Sequence, residues 1–165
     1  CSRAVAEVVR EHGGVPVVSR VGHSFIKAKM AETNAIFGGE HSAHYYFRDN
    51  YFADSGLIAA LMVLELLSRS SQPLSELRKP FERYFASGEI NTRVADTGAA
   101  IERVASRYTY LSQDRLDGLT ANAESWWFNL RPSNTEPLLR LNLEAATPEE
   151  CEARTNEVLA VMREG

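Results

Sequence analysis

Cysteine is scarce in these 165 residues. Cys1 and Cys151 are the two present, and neither has a spaced partner that would suggest a metal pair or a disulfide framework. A reducing, cytoplasmic setting is therefore expected. Long apolar runs are also missing. The most apolar stretch, Leu57 to Leu67, is broken by Glu65 and is too short to span a bilayer, so it reads as a buried helix and no membrane partner is expected. There is no basic leader followed by an apolar segment, and hence no visible signal peptide. Basic excess is absent as well: the formal net charge is −4, which argues against nucleic acid as a partner and means that an anionic ligand needs a local cationic site. No repeat or low-complexity segment is visible. What remains, 44% hydrophobic and 24% charged, is the composition of a folded chain.

The chain opens without an initiator methionine. Residues 3–12 already read as an amphipathic helix, with Val5, Val8 and Val9 on one face, ended by Gly13 and Gly14. A strand is expected at Val15 to Ser19. A helix feeding a strand with no earlier strand is half of a β-α-β unit, so the chain is expected to be cut from a larger protein. A second helix is expected from Ser24 to Glu32, a short strand at Ala35 to Phe37, and an aromatic strand at Tyr45 to Phe47. Asp54 is placed to cap the helix that ends near Ser68, and a further helix should run from Pro73 toward Tyr84. Residues 1–84 are thus expected to be an α/β domain with a mostly parallel mixed sheet, incomplete at its N-terminus.

Past residue 85 the pattern changes. Glu89 to Val94 alternates like a strand, Asp96 to Gly98 opens a helix through Arg107, and short strands are expected near 109–112 and 118–122. Trp126, Phe128 and Leu130 alternate against Trp127, Asn129 and Arg131. Leu139, Leu141, Leu143 and Ala145 alternate against Arg140, Asn142 and Glu144. These read as neighbouring antiparallel strands with one wet face. Thr147, Pro148 and Glu150 form a helix-start signature. Residues 85–165 are expected to be a smaller α+β domain with an antiparallel sheet.

Three clusters could carry chemistry. Gly38, Gly39, Glu40, His41, Ser42, Ala43 and His44 follow a strand end, where open α/β sheets bind ligands. Glu40, Ser42 and His44 place acceptors and donors at alternate positions, which suits adjacent hydroxyls on a sugar ring. The same residues could equally make a polar turn held by its own side chains, and Glu40, His41 and His44 offer a weak metal reading. Arg131 to Pro137 joins the two alternating strands. Ser133, Asn134 and Thr135 supply donors, backbone N–H groups can form an anion nest, and the planar Arg131 fork matches phosphate; an ordinary strand connection is the alternative. Glu136 suits phosphate only if it points away. In the third cluster His23, after Gly22, opens a helix with Lys27 and Lys29 nearby; as a lone histidine it could be structural. For Trp126, core packing is expected over sugar stacking.

Gly22-His23-Ser24-Phe25-Ile26-Lys27, then Gly39 to His44, then Arg131-Pro132-Ser133-Asn134-Thr135-Glu136-Pro137 resemble, in that order, motifs of the α-D-phosphohexomutases, and most closely the bacterial phosphomannomutase/phosphoglucomutase branch. The resemblance covers essentially the whole chain. It implies that residues 1–84 are most of the third of four domains and residues 85–165 the fourth. It implies that Glu40, Ser42 and His44 hold ring hydroxyls of a phosphorylated hexose, that Arg131, Ser133, Asn134 and Thr135 grip its non-reacting phosphate, and that His23 is the catalytic, proton-handling residue. The two patches fall on different expected domains, so domain closure is expected to gate binding.

The activity implied is interconversion of hexose 1- and 6-phosphates, of mannose and also glucose, through a phosphoserine and a hexose 1,6-bisphosphate intermediate. The phosphoserine loop and the Asp-rich loop that binds Mg2+ belong to the missing N-terminal domains. So no metal ligand is expected here, and the fragment should be inactive alone. One departure matters: Ala43 stands where the family loop commonly has glycine. His41 stands where the glucosamine-phosphate branch usually has glutamine, which favours the mannose/glucose branch. A phosphoglucosamine mutase and a non-catalytic phosphosugar-binding module stay open as alternatives.

Overall fold

A computed structural model describes residues 1–133 and 136–164, which divide into two units, Cys1–Glu82 and Arg83–Gly165. The second unit, expected to be the smaller, is not.

In the first unit, helix α1 (Arg3–Glu11) starts where the Ser2 side chain accepts the N–H of Ala4, and helix α2 (His23–Thr33) runs to a left-handed Asn34. Between them Val15 to Ser19 belongs to no strand, and Val15 and Val18 are largely exposed. The residues have strand propensity, but propensity needs a neighbour to pair with. Three strands form the sheet: β1 (Phe37–Gly39), β2 (Tyr45–Phe47) and β3 (Ala53–Asp54), in that order. Every pairing is antiparallel, with Gly38 opposite Tyr46 and Tyr46 opposite Asp54. The mostly parallel sheet expected from the sequence is therefore not present among the described residues. The reason lies in the connections: parallel neighbours need a crossover of a dozen or more residues, and the segment between Gly39 and Tyr45 is far too short for one.

Helix α3 (Gly56–Ser68) is capped by Ser55, whose Oγ accepts the N–H of Ile58, and not by Asp54. No residue of α3 is buried, although it is apolar on all sides. The helix expected to reach Tyr84 is only α4 (Leu74–Leu77), followed by a 3-10 turn at Lys79–Phe81. Pro80 lacks an N–H and its ring would clash with the carbonyl one turn back, so the α-helix cannot continue through it. Ile26, Met30 and Tyr46 are the small buried core of this unit, between α2 and the sheet.

The second unit is one antiparallel sheet with two helices on one face. Its strands are β4 (Phe85–Ala86), β5 (Ile90–Arg93), β6 (Ser112–Asp114), β7 (Leu119–Asn122), β8 (Trp126–Pro132) and β9 (Leu138–Ala145). The order is β4-β9-β8-β7-β6, with β5 also on β9. The alternation read from the sequence holds: Trp126, Phe128 and Leu130 on β8, and Leu139, Leu141, Leu143 and Ala145 on β9, are buried. Over them lie α5 (Thr97–Arg107), capped by Asp96, and α6 (Pro148–Arg163), capped by Thr147.

Two contacts fix the helices. The Glu150 carboxylate accepts the Ser125 hydroxyl at 2.8 Å, which ties α6 to the start of β8. From α5, the Arg103 guanidinium donates to the carbonyls of Val161 and Met162 at 3.1 and 3.2 Å. A cation thus satisfies carbonyls that the last turn of α6 leaves open.

Gly118 governs the β7–β8 register. It sits at φ +74°, and a Cβ there would lie 2.3 Å from the Leu130 carbonyl oxygen. Only glycine lets β8 approach this closely.

Candidate functional site

The first patch belongs to the first unit. The turn between β1 and β2 is closed by the Glu40 N–H donating to the His44 carbonyl at 2.9 Å and the Ala43 N–H donating to the Glu40 carbonyl at 3.1 Å. Ala43 takes φ +65°. A side chain in left-handed backbone costs about 1–2 kcal/mol, so glycine would sit there without strain. The compact turn brings Glu40 and His44 to one place. The Glu40 carboxylate accepts the Tyr46 hydroxyl on one oxygen and the Ser42 hydroxyl, at 3.4 Å, on the other. Burial, with the Glu40 carboxylate beside it, holds the Tyr46 hydroxyl well above the usual phenol range, so it stays a donor.

His44 lies two residues before Tyr46 and so shares its face of the pleat. Cross-strand pairing puts Asp54 opposite Tyr46. His44 Nδ1 is 3.1 Å from Asp54 Oδ2, and His23 Nδ1, at the first residue of α2, is 3.7 Å from Asp54 Oδ1. The two imidazole rings meet edge to face at 4.5 Å, and His23 also meets the Tyr46 ring at 5.4 Å. The hydrogen bond with His44 lowers the Asp54 carboxyl below its ordinary range, aided by the charge of both histidines.

His23, Glu40, Ser42 and His44 are therefore together, as one patch with Tyr46 and Asp54. His41 is exposed and outside it. The Glu40, His41 and His44 metal set is not what the fold assembles. The grouping of three possible ligands among the described residues is His23, His44 and Asp54. Lys29 is engaged with Glu32 at 2.7 Å.

The second patch belongs to the second unit. Arg131 on β8 is register partner of Arg140 on β9. Glu89 stands between them, 3.6 Å from Arg131 Nη2 and 3.3 Å from Arg140 Nη1. Arg140 Nη2 also donates to the Ser133 hydroxyl at 3.4 Å. Ser133 is held by its N–H on the Leu138 carbonyl at 2.8 Å, and Glu136 is exposed. Asn134 and Thr135 lie outside the described residues. Trp126 is buried beneath the Arg154 guanidinium, while Trp127 donates its indole N–H to Glu144 at 2.8 Å.

Asp54, Tyr46, Glu89 and Arg140 escaped the sequence reading. Asp54 looked like a helix cap, and Tyr46 like a strand aromatic. The signal for both is strand register, which one sequence does not carry. Arg140 could have been found, since it alternates onto the same wet face as Arg131.

With this geometry in place, comparison with known proteins is informative. Residues 1–84 match the family model described as phosphoglucomutase/phosphomannomutase, alpha/beta/alpha domain III, and residues 89–164 match the phosphoglucomutase/phosphomannomutase C-terminal domain. The chain belongs to the phosphoglucomutase/phosphomannomutase family. It is 48% identical to a phosphomannomutase of Salmonella typhimurium over 95% of its own length and 35% of that protein. It is 42% identical to a phosphomannomutase of Methanocaldococcus jannaschii, over 96% of this chain and 35% of that one. A crystal structure of a phosphoglucomutase/phosphomannomutase family protein from Burkholderia thailandensis superposes with a TM-score of 0.82 at 29% identity, covering 98% of this chain and 36% of the other. The chain thus spans about a third of the length of the curated relatives it matches.

Proposed function

We propose that the protein to which this chain belongs is a phosphohexomutase, an isomerase that interconverts the 1- and 6-phosphates of mannose and also of glucose. The observation that carries the reading is the convergence of His23, Glu40, His44 and Asp54, from separate parts of the first unit, on one partly exposed spot. A carboxylate and two imidazoles beside one another can exchange hydrogen bonds with vicinal hydroxyls, and Tyr46 and Asp54 hold them in place before a ligand arrives. In this reading Glu40, Ser42 and His44 recognise the ring hydroxyls, and His23 handles the proton of the hydroxyl that accepts phosphate.

The non-reacting phosphate falls to Arg131 and Ser133, with Asn134 and Thr135 completing the clamp. Arg140 joins them through its contact with Ser133. Glu89 keeps both guanidinium groups oriented but competes with phosphate for them. Phosphoryl donation, by a phosphoserine through a hexose 1,6-bisphosphate, is assigned to parts of the protein outside this chain, so the chain alone supplies recognition and no turnover. Mg2+ is assigned there too. The His23, His44 and Asp54 set does not suit it, because Mg2+ takes oxygen ligands. A reducing, cytoplasmic setting agrees with the scarcity of cysteine in the sequence. No helix among the described residues is long and apolar enough to cross a membrane.

The test is turnover of mannose, glucose and glucosamine 1-phosphates by full-length enzyme. Activity on the glucosamine compound alone would sink the branch assignment. In calorimetry with mannose 6-phosphate, Arg131→Ala should weaken binding by about 1.5–3 kcal/mol, the range for hydrogen bonds to charged groups. Unchanged affinity would reject the clamp.

A further inference from the structure

We propose that His23, His44 and Asp54 form an open site for a first-row divalent transition-metal ion, Zn2+ above all. Each residue offers one ligand atom, and the three atoms lie within 4.8 Å of one another. Around a tetrahedral zinc with bonds near 2.1 Å, neighbouring ligand atoms are about 3.4 Å apart. His44 Nδ1 is 3.1 Å from Asp54 Oδ2 and His23 Nδ1 is 3.7 Å from Asp54 Oδ1, so the carboxylate faces each ring, one through each oxygen, at a spacing close to that value. Side-chain adjustment alone can therefore close the shell.

The backbone keeps the ligands in reach by three independent constraints. His23 is fixed at the start of α2, His44 at the end of the β1–β2 turn, and Asp54 by its ladder pairing with Tyr46. The donor set decides the metal. Two imidazoles and a carboxylate suit Zn2+, Co2+, Ni2+ or Cu2+ and disfavour Mg2+ and Ca2+. The Asp54 carboxylate supplies negative charge for a dication. The side chains are 51%, 42% and 38% exposed, so the remaining coordination positions face solvent. Three protein ligands with open positions make an exchangeable site, not a structural one. One consequence rests on the proposed function: an ion here occupies the spot assigned to the sugar, so Zn2+ should compete with phosphosugar.

The test titrates Co2+ into this chain, in phosphate-free buffer and in a Cys1→Ser background that removes the exposed thiol. One equivalent should give visible d–d bands, which Zn2+ then abolishes. Asp54→Asn, and separately His44→Gln, should weaken Co2+ at least about tenfold, while His41→Ala should change nothing. Thermal melts establish that each variant is folded. Absence of bands in folded protein, or equal affinity in Asp54→Asn and His44→Gln, overturns the site. Bands that require Cys1 place the ion elsewhere and overturn it too. In full-length enzyme, Zn2+ inhibition competitive with mannose 1-phosphate supports the shared spot. Tight Co2+ binding without competition leaves the metal site standing and removes the sugar from it. Turnover with no metal binding does the reverse.

Discussion

Tyr108 carries its hydroxyl into the core of the second unit. The residue is 1% exposed, and its ring packs at 5.3 Å from Phe128 and 5.9 Å from Trp126. Its Oη has no hydrogen-bond partner among the described residues. Replacing it by phenylalanine keeps the ring contacts and removes only the stranded oxygen. Burying an unpaired hydroxyl costs roughly 1–3 kcal/mol, so Tyr108→Phe should stabilise the second unit by about 1 kcal/mol at pH 7. For a unit of this size that is a rise of about 4–8 °C in Tm.

The substitution also has a pH signature. Burial, with the Glu157 carboxylate nearby, pushes the Tyr108 hydroxyl up from 10.0 to about 12. Between those values the unfolded chain releases the proton while the native one keeps it, so stability is full below pH 10 and falls as pH rises toward 12. At about 1.4 kcal/mol per pH unit the loss across the window is on the order of 2–3 kcal/mol. Phenylalanine should remove that part of the slope. Both tryptophans, Trp126 and Trp127, lie in this unit, so denaturant melts followed by tryptophan fluorescence report it selectively. Residues 83–165 contain no lysine to titrate in the same range, although the buried Cys151 thiol, also pushed up by burial, adds a small slope common to both proteins. A loss of 1 kcal/mol or more at pH 7, or an unchanged alkaline slope, would refute the argument by showing that the hydroxyl is paired.

Three further outcomes are expected. Gly118→Ala should destabilise the second unit by at least about 3 kcal/mol, because its Cβ would meet a backbone carbonyl at 2.3 Å in left-handed backbone; a melt within 1 kcal/mol of wild type would contradict the register described. Thr147→Ala should remove the cap of α6 at about 1 kcal/mol, read in the same fluorescence melts. Leu57→Glu with Leu61→Glu, on an exposed face of α3, should lower dye binding and light scattering of this chain without lowering its Tm, whereas in full-length protein the same pair should impair folding. The second half of that outcome follows if the rest of the longer protein covers this helix, as its all-round apolar sequence suggests.

Much of the second unit was legible along the chain. The alternation of Trp126 to Arg131 and of Leu139 to Ala145 placed core and wet faces correctly, because a strand repeats every two residues and local composition carries that period. Capping residues Asp96 and Thr147 were readable for the same reason: a cap bonds within its own first turn. The family was legible too, since its motifs are short and contiguous.

What the first unit does was not local. The antiparallel β1-β2-β3 sheet, the unpaired stretch at Val15 to Ser19, and the transfer of the α3 cap from Asp54 to Ser55 all depend on which segments meet. Asp54 became a partner of two histidines only through its ladder position opposite Tyr46. Residue types and periods decided which elements could form and which motifs were present. Tertiary structure alone decided which side chains share a site, because strand register and helix placement are long-range choices paid for by contacts that no short window contains.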